Sequence, residues 1–118
     1  MVLYSSGGIS LIPVSKGSIY NQAILANTDI FTTALGPTQD PTTFRIYAAF
    51  NAGGVLTVRR TVGAVTVSEN LNGGAALAAN SSYFFDIAVQ YGETINIWYS
   101  VGATCLNLKV WEVKGVVS

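Results

Sequence analysis

From Ser18 onward, apolar and polar side chains alternate with a period of two, the signature of strands that bury one face. Phe44, Ile46, Ala48 and Phe50 fall on one side of a run whose other side carries Arg45, Tyr47 and Ala49. Phe85, Ile87, Val89 and Tyr91 alternate with Asp86, Ala88 and Gln90, and Ile95, Ile97, Tyr99 and Val101 with Asn96, Trp98 and Ser100. Leu106, Leu108 and Val110 alternate in turn with Asn107, Lys109 and Trp111. Turn formers separate the runs: Asn51-Ala52-Gly53-Gly54, Val62-Gly63-Ala64, Asn72-Gly73-Gly74, Tyr91-Gly92-Glu93 and Val101-Gly102-Ala103. Glycine supplies the positive φ that tight hairpins need. The pattern predicts strands near 18–26, 28–34, 43–51, 54–62, 64–69, 82–90, 93–101 and 104–114. Segment 34–43 reads as a loop, because Pro37 and Pro41 lack a donor and restrict the residues before them. Ala75–Ala79 is the one helix candidate and is too short to matter. About eight short strands spaced near ten residues indicate an all-β fold, an antiparallel β-sandwich of jelly-roll type. Residues 1–17, rich in glycine and serine, read as an extended N-terminal arm, and 18–118 as a single β-sandwich domain.

Composition sharpens this picture. The 118 residues suit one domain, large enough to bury a core without disulfides or metals. Six basic and six acidic residues make only 10% of the chain, against roughly 25% in ordinary soluble domains. On the surface expected for this mass that is about one ionised group per 500 Å². Half of the residues are hydrophobic, with a mean hydropathy of +0.44. Contiguous apolar surface is rarely left in water, so much of the surface is expected to be covered by partners. Zero net charge provides no pull toward nucleic acid or anionic lipid, and no partner of either kind is expected. No run of 18 apolar residues suggests a membrane span. The N-terminus lacks the basic-then-apolar order of a signal peptide, so synthesis in a cytoplasm without export by that route is expected.

Candidate chemistry is sparse. Histidine is absent, which removes the commonest general base and metal ligand. Asp29, Asp40, Glu69, Asp86, Glu93 and Glu112 stand in no catalytic context, and Asp40 and Glu93 look like turn formers. Cys105 has no activating histidine and reads as a small core or interface residue. No enzymatic activity, cofactor or metal is expected. Arg59 and Arg60 are neighbours on a strand and must face opposite sides. They read as structural ion pairs with Asp86, Glu69 or Glu112, or as arginines of a subunit interface. Tyr47, Trp98 and Trp111 occupy the polar phase of their strands. Such rings either fill a subunit interface or stack on sugar, as in a carbohydrate-binding module or a receptor-binding fibre head. The candidate interface set is therefore Tyr47, Arg59, Arg60, Trp98 and Trp111.

From Leu56 to Val113 the sequence resembles the small jelly-roll decoration (cement) proteins of tailed bacteriophages and related archaeal viruses. The likeness rests on Leu56-Thr57-Val58-Arg59-Arg60-Thr61, Glu69-Asn70-Leu71-Asn72-Gly73-Gly74-Ala75-Ala76-Leu77, Tyr83-Phe84-Phe85-Asp86-Ile87-Ala88-Val89, Gly92-Glu93-Thr94-Ile95-Asn96 and Ala103-Thr104. It covers about half the chain and is weaker over residues 1–42. The resemblance implies a homotrimer on the virion surface, seated on the major capsid protein and stabilising the shell. It also implies an N-terminal segment that touches the shell, with Val2, Leu3, Tyr4, Ile9, Leu11, Ile12 and Val14 as the contacting side chains.

Overall fold

The computed structural model describes residues 9–37 and 42–115. Seven strands account for most of them: β1 (Ile9–Ile24), β2 (Thr42–Phe50), β3 (Leu56–Val62), β4 (Val65–Asn70), β5 (Tyr83–Val89), β6 (Glu93–Tyr99) and β7 (Ala103–Gly115). They form two antiparallel sheets, one ordered β1-β7-β2-β5 and the other β4-β3-β6. The chain is a β-sandwich, as the period-two alternation requires.

Seven regular strands stand where about eight are expected, and the difference lies in segment 28–34. It forms no regular strand, yet it runs along the outer edge of β6. The Asn27 amide donates to the Tyr99 carbonyl at 2.7 Å, Ile30 to Ile97 at 3.0 Å, and Leu35 exchanges two 2.8 Å bonds with Ile95. Five residues separate the last two contacts on this segment but only two on β6, so no constant register can form. Asn96 holds the irregular stretch down. Its Oδ1 accepts from the Phe31 amide at 3.0 Å and its Nδ2 donates to the Phe31 carbonyl at 2.8 Å.

With this segment counted in second place, the pairings nest. The first element pairs with the last, the second with β6, β2 with β5, and β3 with β4. That is a long antiparallel hairpin rolled onto itself, the jelly-roll order.

The core lies between the sheets. Phe44, Ile46, Phe50, Leu56, Val58, Ile95, Ile97, Tyr99, Leu108 and Val110 are almost fully buried, and all lie on the inward phase of their strands. Phe50 and Tyr99 stack at 3.8 Å and 10°, and the Tyr99 hydroxyl donates to the Ala52 carbonyl at 2.6 Å. Gly54 makes room for this pair, since a Cβ there would sit 2.9 Å from two Tyr99 ring atoms. Two expectations fail at strand ends. Tyr91 is 67% exposed, because β5 ends at Val89 and the chain turns before the ring can reach the core. Leu106 is half-buried while Cys105 is sealed, because an irregularity in the β2–β7 register at this point shifts the phase by one residue.

The N-terminal boundary also reads differently. β1 runs through residue 17: Ile9 to Pro13 pair with Gly115 to Trp111, and Ser18 resumes opposite Lys109 after a register shift. Residues 9–17 therefore belong to the sheet, while residues 1–8, with Val2, Leu3 and Tyr4, lie outside the described residues. The only helical turn among the described residues is a 3₁₀ turn at Asn72–Gly74, and Ala75–Ala79 is not helical.

Candidate interaction surface

The two sheets present outer faces of different chemistry, and register fixes what each displays. Across the four-stranded sheet, Pro13, Trp111, Arg45 and Asp86 form one row, one residue from each strand. Leu11, Val113, Thr43 and Ala88 form the row on one side, and Ser18, Lys109, Tyr47 and Phe84 the row on the other. Phe84 is 60% exposed, its ring tilted at 44° to that of Tyr47 with centroids 4.9 Å apart. The Tyr47 hydroxyl is 2.8 Å from that of Ser82.

At the centre, Arg45 grips Asp86 with two bonds, Nε to Oδ1 at 2.8 Å and Nη2 to Oδ2 at 3.0 Å. Hydrogen bonding to Arg45 lowers the Asp86 pKa and raises that of the guanidinium. The pair is thus charged but internally matched, and it lines an open depression of about 340 Å³ together with Phe84. The result is an aromatic surface on which the acidic group Asp86 is neutralised and Lys109 is the further charge among the described residues.

The outer face of β4-β3-β6 is polar instead. Its rows read Thr66, Thr61, Thr94; Ser68, Arg59, Asn96; and Asn70, Thr57, Trp98. Thr57 bonds Asn70 at 2.9 Å and the Thr61 and Thr66 hydroxyls meet at 3.2 Å. Trp98 and Arg59 belong to a closed cluster. Asp29 Oδ1 accepts from Arg59 Nη1 at 2.8 Å and from Trp98 Nε1 at 2.6 Å, and the guanidinium lies 4.4 Å from the indole centroid. Arg60 faces the other way, toward β5. It bonds Glu69 at 2.7 Å, approaches Glu93 at 3.4 Å, and donates to the Ala88 carbonyl, so it ties the two sheets together.

The candidate interface residues thus fall into two groups. Tyr47 and Trp111 come together on the aromatic face, whereas Arg59, Arg60 and Trp98 spend their polar groups on contacts within the chain. Among the carboxylates expected opposite the arginines, Glu69 takes Arg60, while Asp86 takes Arg45 and Glu112 is buried on the inner face. Arg59 pairs with Asp29, which was not among those expected. Three residues of the aromatic face escape a reading that follows only the core phase. Phe84 sits one position out of phase with Phe85 and so had to point outward, and Arg45 and Asp86 share that outward phase.

Of the expected shell contacts, Leu11 and Ile12 are exposed at 41% and 39%, and Val14 is packed against the core. Ile9 opens β1 opposite Gly115. No group of three or more potential metal ligands occurs among the described residues, and no helix among them is long and apolar enough to cross a membrane. Burial pushes the Cys105 thiol up to about 12, which keeps it protonated and unreactive at neutral pH. No known protein-family model matches the sequence, and no curated protein matches it either.

Proposed function

We propose that this chain is a virion surface protein of the decoration type, which forms a homotrimer and reinforces a capsid built by a major capsid protein. The observation that carries the reading is the outer face of the four-stranded sheet. Trp111, Tyr47, Phe84, Leu11 and Val113 cluster there around an ion pair that is already satisfied, while the opposite face is covered with hydroxyl and amide groups. Aromatic rings with few net charges are the composition of a protein contact. A flat sugar prefers coplanar rings, and the 44° tilt of Tyr47 against Phe84 suits packing against a protein surface better. The jelly-roll order and the likeness of Leu56–Val113 to decoration proteins support the same conclusion. Reinforcement would follow from mass action: contacts made only in the assembled shell stabilise it, and many copies multiply the effect.

Sedimentation of the purified chain tests this. A trimer is expected at micromolar concentration, and the double variant Phe84→Ser, Trp111→Ser should sediment as a folded monomer. A wild-type monomer, or a variant trimer of unchanged stability, would remove this face from the argument. For the capsid role, adding the protein to empty shells should raise their melting temperature.

A further inference from the structure

Sheet edges are templates for pairing, and folded proteins usually block them. Three of the four edges here carry some obstruction. The edge of β6 is bonded by segment 27–35. On β5, the Ala88 carbonyl accepts from Arg60. β1 is broken by a register shift between Pro13 and Ser18 and by left-handed residues Lys16 and Asn21, at φ 62° and 49°. β4 differs: among the described residues it pairs with β3 alone, and all six of its residues are exposed. Its Val65 and Val67, with Val62 across the hairpin, lie on the inward phase beyond the cover of the other sheet, at 63%, 58% and 54% exposure.

The direction of the backbone groups follows from one bond. The Leu71 amide donates to the Leu56 carbonyl at 2.8 Å, and the same register runs to Val62 opposite Val65. Antiparallel ladders alternate, so Val65, Val67 and Glu69 turn their amides and carbonyls toward β3. Thr66, Ser68 and Asn70 turn theirs to the open edge. We propose that β4 pairs antiparallel with β4 of a second copy about a two-fold axis, with Thr66 opposite Thr66.

Self-complementarity selects both the occupant and the register. Five two-fold registers bring outward groups together, and the two centred nearest Asn70 set Glu69 against Glu69 or against Leu71. Pairing Ser68 with Ser68 sets Val67 against Glu69, and pairing Thr66 with Ser68 sets Val65 against Glu69. With Thr66 on the axis, Val65 meets Val67 of the second copy twice over, Glu69 falls beside the Gly63 turn, and no like charges oppose each other. The four valines then share one face, in the close non-hydrogen-bonded positions of the ladder. Five residues a side, Ala64 to Ser68, bury far less than the ~800 Å² of a standard interface partner. The contact is therefore weak between free molecules and becomes effective where copies are held side by side. It is separate from the trimer contact proposed above, which uses the other sheet.

Disulfide trapping reads out both contact and register. The two Thr66 Cα atoms would lie ~5.5 Å apart, within the range a disulfide spans. The native Cys105 is buried and adds no background. Single variants Thr66→Cys, Val67→Cys and Ser68→Cys would be oxidised mildly beside Leu25→Cys, an exposed site elsewhere that measures random collision. Thr66→Cys is expected to form covalent dimer about tenfold faster than the other three, because pairing raises the effective thiol concentration. Adding Val65→Asp should abolish that advantage while far-UV circular dichroism stays unchanged. Faster trapping at Val67 or Ser68 would overturn the register, and rates equal to Leu25→Cys at all three sites would overturn the pairing. Neither result depends on the trimer, since the assay can be repeated on the Phe84→Ser, Trp111→Ser variant.

Discussion

Arginine pairing decides much of what single residues do in this chain. Arg45, Arg59 and Arg60 each meet a carboxylate at 2.7 to 2.8 Å, yet they serve different ends. Arg59 flattens Trp98 against its own sheet, Arg60 bridges the two sheets, and Arg45 neutralises Asp86 within an aromatic surface. Only the last leaves a face fit for a partner. Its pH dependence has a definite sign. Asp86 titrates below its ordinary 3.8 in the folded chain, so the stability it contributes is present above that value and is lost as pH falls through the folded one. Wild type should therefore exceed Asp86→Asn in denaturant midpoint at neutral pH, with the gap closing below about pH 4. The gap should be small, because the pair is solvated. An unchanging gap down to pH 2 would show that the ion pair is not its source.

At the scale of elements, segment 27–35 and strand β4 show two ways of treating an edge. Segment 27–35 gives up regular pairing but still covers β6, and Asn96 is the fastener. Replacing Asn96 with Ala removes both bonds to Phe31 and leaves a buried amide and carbonyl unpaired. Each orphaned group costs ~1–3 kcal/mol, so a loss of about 2 kcal/mol or more is expected in urea unfolding. Amide exchange should accelerate first at Ile30 and Leu35, and uniform acceleration across the sheet would argue against a local fastener. Among the described residues β4 has no such cover, and its valines stand where a second strand would hide them.

For the whole molecule, the decisive feature is the asymmetry between its faces. One outer surface is dressed mainly in threonine, serine and asparagine, with Trp98 held under Arg59, and the other in Trp111, tyrosine and phenylalanine. Low charge alone is compatible with a solitary, hydroxyl-coated protein, and the polar face shows that part of the surface follows that design. The aromatic face does not. Its Arg45–Asp86 ion pair is satisfied within the chain and leaves Lys109 as the face's remaining charge among the described residues, so association through it should depend only weakly on salt. Raising ionic strength to about 1 M, where screening acts over ~3 Å, should leave the proposed trimer intact in sedimentation. Dissociation by salt would point to a charged interface elsewhere.

Alternation by itself determined the fold class, most strand positions and the inward phase, since period two admits only one way to bury Phe44, Ile46, Ile95 and Ile97 together. It equally determined that Tyr47, Trp98 and Trp111 point outward. Tertiary structure decided which of these rings share a surface, because that depends on register between strands far apart in the chain: β7 carries Trp111 to β2, while Trp98 goes to the other sheet. It also decided that 28–34 forgoes regular pairing, and that the strand preceding it begins as early as Ile9. Both outcomes turn on what lies opposite, Ile95 to Tyr99 in one case and Trp111 to Gly115 in the other. A local pattern holds no record of its partner strand.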